Sequence, residues 1–345
     1  MMKKCIVLIL WILASQATAQ NNDLTFPEVS QKAMVMQRVG LTDITIIYHS
    51  PLVKGRKVWG DLVPYNEVWR GGANENTTIS FSSEVLVEGK LLPAGTYGLH
   101  MIPSEKEWTI IFSRNSKSWG SYFYDKTEDA LRVIVKPVQN AFQEWLSYQF
   151  TETAANSTVI TLCWEKIKIP FKIDINVQEV VYSNMKNELR GLPGFSWQGP
   201  MQAARYCANN NIHLDEAMKW IDQSIQAQEN FTNLRVKSKL LAMKGQPAES
   251  ETLMKNAMNI ANEEELNTYG YELVNQKKIK DAIEIFKTNV KRNPSSWNVY
   301  DSLAETLAID GNNKDAILYY RIALSKAPDN QKNRINSAMK KLEAK

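Results

Sequence analysis

A dense group of aromatic, charged and glycine residues lies between His49 and Thr78, and it is the part of the chain best suited to ligand binding. The segment reads HSPLVKGRKVWGDLVPYNEVWRGGANENTT and shows little hydrophobic periodicity. Long loops in compact domains are often functional, and a tryptophan beside an arginine can stack, donate hydrogen bonds and carry charge in one place. The candidate ligand-binding residues are Arg56, Trp59, Tyr65, Trp69, Arg70, Asn74 and Glu75.

A structural role for the same segment is the alternative, and we favour it. Tryptophan is usually largely buried, so Trp59 and Trp69 would close one end of a β-domain. The glycines would permit turns with positive φ, and Arg70 would pair with Glu75. On this interpretation Arg70→Ala leaves a buried charge without its partner and costs about 3–5 kcal/mol. An enzyme that uses Arg70 and Glu75 in the loop 54–78 stays open as a second hypothesis.

Recognised catalytic and metal-binding motifs are missing from the sequence. The three histidines, His49, His100 and His213, do not have the spacing of a helical zinc pair and do not lie near a cysteine cluster. No glycine-rich loop with a following lysine suggests phosphate binding, and no dinucleotide-binding turn is present. We therefore predict no catalytic residue, no metal and no cofactor, and we expect a non-catalytic protein.

The strands that must position this segment are predicted from a hydrophobic period of two between about Ser30 and Ile175. Short apolar runs alternate with turn signals such as Glu88-Gly89 and Pro93-Ala94-Gly95, as in an antiparallel sandwich or barrel. We therefore expect an all-β antiparallel sandwich over residues 25–176. The predicted strands are 44–48, 78–81, 85–87, 96–102, 108–112, 131–135, 145–150, 159–164 and 169–175.

Residues 178–345 have a helical period and an internal repeat. Ala282 and Ala316 are 34 residues apart (316 − 282), and an aromatic residue follows each of them, Phe286 and Tyr320. Thirty-four residues is the tetratricopeptide (TPR) period, in which small residues let the two helices of a hairpin touch. Two degenerate copies are expected upstream, around Ala217 and Ala248, and a bridging helix is expected over 180–190.

Positions on the first helix of each clear repeat also match. The two copies hold Leu266, Tyr269, Gly270 and Leu273, and Tyr300, Leu303, Ala304 and Leu307. We therefore predict an all-α, TPR-like array in this half of the chain. Modules of this kind bind other polypeptides more often than they catalyse reactions.

The first 19 residues have the pattern of a secretory signal peptide. Lys3 and Lys4 precede an apolar core, and Ala17-Thr18-Ala19 is a small-x-small cleavage site. The core is far shorter than the roughly 20 residues of a transmembrane helix. We expect cleavage after Ala19, a periplasmic or secreted protein, and no integral membrane segment after cleavage.

The net charge bears on the class of partner, and the cysteine content bears on disulfide formation. The formal net charge is +4 with both signs interspersed, which does not indicate a nucleic-acid partner. Cys163 and Cys207 are the cysteines that remain after cleavage. Two buried free thiols are favoured over one interdomain disulfide.

Several strings in the N-terminal half resemble the secreted DUF2911 family, a domain of unknown function. They are QKAMVMQR from Gln31 to Arg38, VKGRKVWGDLVPYNEVWRGGANENTTI, LPAGTYGLHMIP, EKEWTIIFS and LRVIVKP. The chain departs from the family pattern at Asn66, where glycine is usual, and at His100, where an aromatic residue is common. The resemblance implies export and a β-domain followed by helical repeats similar to AARYCANNNIHLDEAMKWIDQSI. It implies no activity, substrate or cofactor.

These observations predict an exported, non-catalytic binding or scaffolding protein whose repeats contact a protein or peptide partner. Carbohydrate binding by the sandwich is an alternative, because aromatic faces stack on sugar rings. The tryptophans concerned are Trp59, Trp69, Trp108, Trp119 and Trp145. At least two of them on one solvent-facing surface would support a glycan partner, and burial of all of them in the core would exclude it.

Overall fold

The computed structural model of the chain describes residues 26–344. They divide into two compact units, with the boundary between Val177 and Gln178. The predicted signal peptide lies outside the described residues. Among the helices that are described, none is long and apolar enough to cross a membrane.

Antiparallel strands in two sheets build the first unit. The strands are β1 (Gln31–Val39), β2 (Thr42–Ser50), β3 (Thr78–Phe81), β4 (Val85–Val87), β5 (Lys90–Leu92), β6 (Gly95–Ile102), β7 (Trp108–Ser113), β8 (Asp129–Val135), β9 (Val138–Thr151) and β10 (Ser157–Asp174). The larger sheet has the order β1-β2-β3-β6-β7-β8, and the smaller has the order β5-β4-β10-β9.

The two sheets face each other across an aromatic core. Alternate residues of β2 are buried from Thr42 to Tyr48, as expected for a strand with one face on the core. Tyr48 meets Tyr148 of β9 with ring centroids 4.9 Å apart, and Phe112 of β7 lies 6.2 Å from Phe171 of β10. The predicted antiparallel sandwich is confirmed.

The observed strand boundaries differ from those that the hydrophobic period of two predicted. The strands predicted at 159–164 and 169–175 are one strand, β10, whose register with β9 shifts between Cys163 and Ile167. Glu165 has a φ of 55° at this irregularity. A β-bulge interrupts the alternation without ending the strand. The edge strand β1 and the short strand β5 were not predicted.

Helices form the second unit. They are α1 (Val177–Glu188), α2 (Gln198–Asn210), α3 (Leu214–Ala227), α4 (Phe231–Met243), α5 (Pro247–Ile260), α6 (Glu263–Asn275), α7 (Ile279–Arg292), α8 (Trp297–Ile309), α9 (Asn313–Lys326) and α10 (Asp329–Glu343). Helices α2 to α9 pack as hairpins in consecutive pairs, and α10 packs on α9. This arrangement confirms the predicted TPR-like array.

Small residues bring the helices of each hairpin together. Ala282, Ala304 and Ala316 are fully buried, and a Cβ on Gly270 of α6 would collide with the ring of Phe286 on α7. The small-residue positions predicted in the last two repeats are therefore confirmed.

The predicted position of Ala248 in this series is wrong, because Ala248 is exposed. Ser250 takes the place instead, as the fourth residue of α5, where Ala282 is the fourth residue of α7. Its Oγ lies 3.0 Å from the Oγ of Ser238 on α4, and it donates to the Ser238 carbonyl oxygen at 2.7 Å. A serine suits this close contact because its hydroxyl finds a partner on the facing helix.

Both described cysteines are buried free thiols, as favoured from the sequence. Burial raises the pKa of the Cys163 thiol and raises the pKa of Cys207 to about 11. Neither thiol is therefore an activated nucleophile at neutral pH.

Candidate functional site

The tryptophans of the segment between β2 and β3 pack into the interior of the sandwich. The Trp59 ring centroid lies 4.9 Å from that of Trp108 and 5.6 Å from that of Trp164, both in edge-to-face geometry. Trp69 stacks on Trp164 at 6.0 Å. Its backbone exchanges two hydrogen bonds of 2.7 Å with Met101 of β6. Trp59 and Trp69 thus fasten the segment to the strands beneath it.

Arg56 and Tyr65 stabilise local turns of the same segment. The Arg56 guanidinium donates to the carbonyl oxygens of Val53 and Leu52, at 3.0 and 2.5 Å. The Tyr65 ring lies against Gly60, where an added Cβ would approach it to 2.8 Å. Gly60 has a φ of 81°, so both space and backbone conformation require glycine there.

Tyr65 also lines a shallow cavity of about 330 Å³. Asn66, Ser104, Glu105 and Lys106 complete its lining. Burial raises the pKa of the Tyr65 hydroxyl. At neutral pH this hydroxyl therefore offers a hydrogen-bond donor rather than a charge.

Arg70 does not pair with Glu75, so the predicted ion pair is wrong. The guanidinium lies against Gly120, where a Cβ would be 3.0 Å from Nη1. Its Nε is buried without a hydrogen-bond partner among residues 26–344. Because truncation of Arg70 strands no carboxylate, the loss of 3–5 kcal/mol expected for a buried pair no longer follows.

A buried histidine lies next to the Gly120 turn. His100 of β6 has its Nδ1 3.2 Å from the Ser121 Oγ, and its ring meets the edge of Tyr124 at 5.3 Å. Burial lowers the pKa of His100 to about 4, although the nearby Asp129 acts in the opposite direction. His100 is therefore neutral at pH 7. Its Nδ1 can accept one hydrogen bond from Ser121 or donate one to it.

Asn74 and Glu75 belong to a separate polar cluster. Glu75 Oε2 lies 2.9 Å from His49 Nε2, and Glu28 Oε2 lies 3.2 Å from the same nitrogen. Asn74 Nδ2 donates to Glu28 Oε2 at 2.6 Å. Histidine spacing in the sequence does not predict this cluster, because its members come from three separate parts of the chain.

Three of the five tryptophans named for glycan binding pack against other rings inside the sandwich. Trp59 and Trp108 are buried, and Trp69 packs against Trp59. Trp119 and Trp145 are 52% and 43% exposed. No ring contact between these two occurs in the described part of the chain. A glycan partner is thus unsupported.

The second unit has a cleft between the first helices of consecutive hairpins. It has a volume of about 270 Å³ and is lined by residues of α2, α4 and α6. The lining residues are Arg205, Phe231, Thr232, Arg235, Val236, Glu264, Glu265, Thr268 and Glu272. Successive TPR-like hairpins form this kind of continuous surface because each one presents the same helix to the same side.

Arg235 is held firmly in the centre of the cleft. Its guanidinium carbon lies 4.5 Å from the Tyr269 ring centroid and 5.5 Å from that of Phe231. Its Nη2 is 2.5 Å from Glu272 Oε2. Arg205 is exposed at the side of the cleft and has no ion-pair partner among residues 26–344. The cleft therefore combines one fixed cation, one accessible cation and several carboxylates.

Comparisons with known proteins give one family match, which lies in the first unit. Residues 30–173 match the model of the family described as "Protein of unknown function (DUF2911)". A search of curated proteins found no match.

Solved structures similar to this chain include TPR proteins and MamA proteins at low identity. One is YrrB, described as a TPR protein with an unusual peptide-binding site, at 18% identity, 48% coverage of this chain, 84% of that chain and a TM-score of 0.28. Another is MamA from Desulfovibrio magneticus RS-1, at 14% identity, 42% and 84% coverage and a TM-score of 0.27. A third is a TPR repeat-containing protein from Cytophaga hutchinsonii, at 15% identity, 47% and 70% coverage and a TM-score of 0.30.

The strand pattern, the sequence strings and the family model all concern the same stretch of the chain. Residues 30–173 therefore match the DUF2911 family, which is described as of unknown function, and TPR-like helical repeats follow this stretch.

Proposed function

We propose that this protein is an exported, non-catalytic binding or scaffolding protein whose repeats hold a segment of another polypeptide. The observation that carries the proposal is the cleft between α2, α4 and α6. A cleft lined by both signs of charge and by an aromatic ring offers hydrogen bonds and apolar contact to an extended chain.

The arginines favour an acidic residue or a C-terminal carboxylate at the centre of the bound segment. Arg235 already lies on two aromatic rings and against Glu272, so little side-chain entropy is lost when it binds. Arg205 is exposed and can turn towards a second carboxylate. Glu264 and Glu265 on the other side of the cleft can accept hydrogen bonds from backbone N–H groups or from a lysine.

The experiment is affinity purification of the exported protein from its own cell envelope, followed by mass spectrometry. It compares the wild-type chain with Arg205→Glu in the cleft and with Lys291→Glu, an exposed position on α7 outside the cleft lining. We expect one or more partners to be lost with Arg205→Glu and kept with Lys291→Glu, because reversing a charge repels a carboxylate.

A set of partners that is identical for all three chains would contradict the cleft as the binding surface.

Export is tested separately by the intact mass of the protein recovered from the envelope. Cleavage after Ala19 leaves Gln20 as the first residue. A chain that retains Met1 and is released only by detergent would mean that the segment is an anchor.

A further inference from the structure

Three side chains of metal-ligand type converge beside the end of β2. Glu28 precedes β1, His49 lies in β2, and Glu75 lies in the segment that leads into β3. The imidazole and carboxylate ligand atoms all lie within 4.8 Å of one another. The chain therefore brings one nitrogen and two carboxylates to a single point, although 47 residues (75 − 28) separate the outer two.

The distances fit ligands that share one cation. Zn²⁺ binds imidazole nitrogen and carboxylate oxygen at about 2.0–2.1 Å, so two ligands at a tetrahedral angle lie about 3.3 Å apart. At a right angle they lie about 3.0 Å apart. His49 Nε2 is 3.2 Å from Glu28 Oε2 and 2.9 Å from Glu75 Oε2. Small side-chain movements would place an ion in contact with all three.

Burial and exposure in the cluster suit a site that is built and accessible. The His49 side chain is 5% exposed, so the surrounding strands hold its ring in place, whereas Glu28 and Glu75 are 48% and 47% exposed. Asn74 donates to the Glu28 carboxylate and orients it as outer-shell residues orient metal ligands. The ring is thus preorganised, and an ion can enter between the carboxylates.

The charge of the cluster calls for a cation. Two carboxylates approach the same imidazole nitrogen, which carries at most one proton and can give one of them a full hydrogen bond. A divalent ion neutralises both carboxylates and uses the lone pair of the imidazole. We propose that Glu28, His49 and Glu75 bind one divalent transition-metal ion of the Zn²⁺ type, with water in the remaining positions. The mixed nitrogen and oxygen ligands favour Zn²⁺ over Ca²⁺ or Mg²⁺, which prefer oxygen alone.

The test is calorimetric titration of the untagged full chain, first stripped of metal with a chelator, with Zn²⁺, Mn²⁺ and Ca²⁺. We expect one saturable Zn²⁺ site per chain, weaker Mn²⁺ binding and the weakest binding for Ca²⁺. Glu75→Gln keeps the size of a half-exposed side chain and should reduce Zn²⁺ affinity by at least about tenfold, since losing even an outer-shell partner has that effect. Glu28→Gln should do the same.

The matched control is His213→Gln. His213 Nε2 lies 2.8 Å from Glu179 Oε1, so this variant removes another histidine–carboxylate pair, outside the cluster. Its Zn²⁺ affinity should equal that of the wild-type chain. Absence of saturable Zn²⁺ binding, equal affinity in Glu75→Gln, or tighter binding of Ca²⁺ than of Zn²⁺ would overturn the proposal. His49→Gln is an additional variant at a buried side chain. If this variant does not fold, Glu75→Gln and Glu28→Gln decide the test.

Discussion

The two units of the chain bury their apolar side chains in different ways. In the sandwich, the largest rings come from distant places in the sequence, as when Trp59 meets Trp108 and Trp164. In the array, each apolar cluster draws on neighbouring helices, as when Ala282 and Phe286 meet Leu303. Contacts in the array thus repeat along the chain, whereas those of the sandwich depend on how strands pair. Substitutions should therefore affect the whole sandwich but only part of the array.

The largest effect is expected for Trp164→Ala. Trp164 is fully buried and packs on both Trp59 and Trp69. Its truncation should cost about 3–5 kcal/mol, because a large cavity forms among rings that cannot collapse into it. Hydrogen exchange of the full chain should show protection falling throughout residues 30–173. Loss confined to the segment between β2 and β3 would contradict the idea of one cooperative sandwich.

A pH effect of about 3 kcal/mol is expected from His100. Its pKa is about 4 in the folded chain, against about 6.5 in the unfolded chain. The unfolded state therefore binds more protons between these values, so stability is full above pH 6.5 and falls as the pH drops towards 4. Ser121, Tyr124 and Asp129 face the ring.

Denaturant unfolding of the wild-type chain and of His100→Gln between pH 4 and 7 measures this contribution. The difference in stability between the two chains should change between pH 4 and 6.5 and stay constant above pH 6.5. A difference that does not vary with pH would mean that His100 titrates alike in the folded and unfolded states.

Ala316→Leu should cost about 1–3 kcal/mol by overpacking the contact between α8 and α9. Ala316 is fully buried, whereas Ser325 on the same helix is exposed. Ser325→Leu is the matched control and should cost far less. Thermal unfolding measures both, and the loss should be concentrated in the last hairpins. Equal losses at the two positions would contradict the assignment of small-residue positions.

The serine pair of the α4–α5 hairpin should have a smaller effect. Ser238 Oγ donates to the Ser250 carbonyl oxygen at 2.8 Å, and Ser250 Oγ donates to that of Ser238 at 2.7 Å. Each single change to alanine should cost about 0.5–1.5 kcal/mol, the usual net value of a hydrogen bond. The double variant should cost less than the two losses added together, because it reproduces the alanine contact of the later hairpins. A strictly additive double variant would show that the hydroxyls act independently.

Arg70→Ala should have the smallest effect, about 1 kcal/mol or less, because its buried Nε has no hydrogen bond to lose. The matched comparison is Arg132→Ala. Arg132 Nε donates to Asp129 Oδ2 at 2.5 Å, and losing a charged hydrogen bond costs about 1.5–3 kcal/mol. Equal melting temperatures for the two variants would contradict this difference between the arginines.

Features that rest on local spacing could be predicted from the sequence alone. Alternation identified the strands at 78–81 and 85–87, and the interval between Ala282 and Ala316 identified the helical hairpins. Strand and helix periods act over a few residues, so they are visible without the fold. Tryptophan burial was also foreseeable, because removing so large a ring from water is strongly favourable.

The contacts between distant polar groups depend on the fold and could not be predicted from spacing. His49 reaches Glu28 and Glu75 because β1, β2 and β3 are neighbours in one sheet. Arg70 lies against Gly120 instead of pairing with Glu75, five residues away (75 − 70). Strand pairing sets the contacts of His49, and it is unrelated to distance along the chain. Ser250, and not Ala248, occupies the small-residue position of α5 for a similar reason. A buried hydroxyl fits there because the facing helix supplies its hydrogen-bond partner.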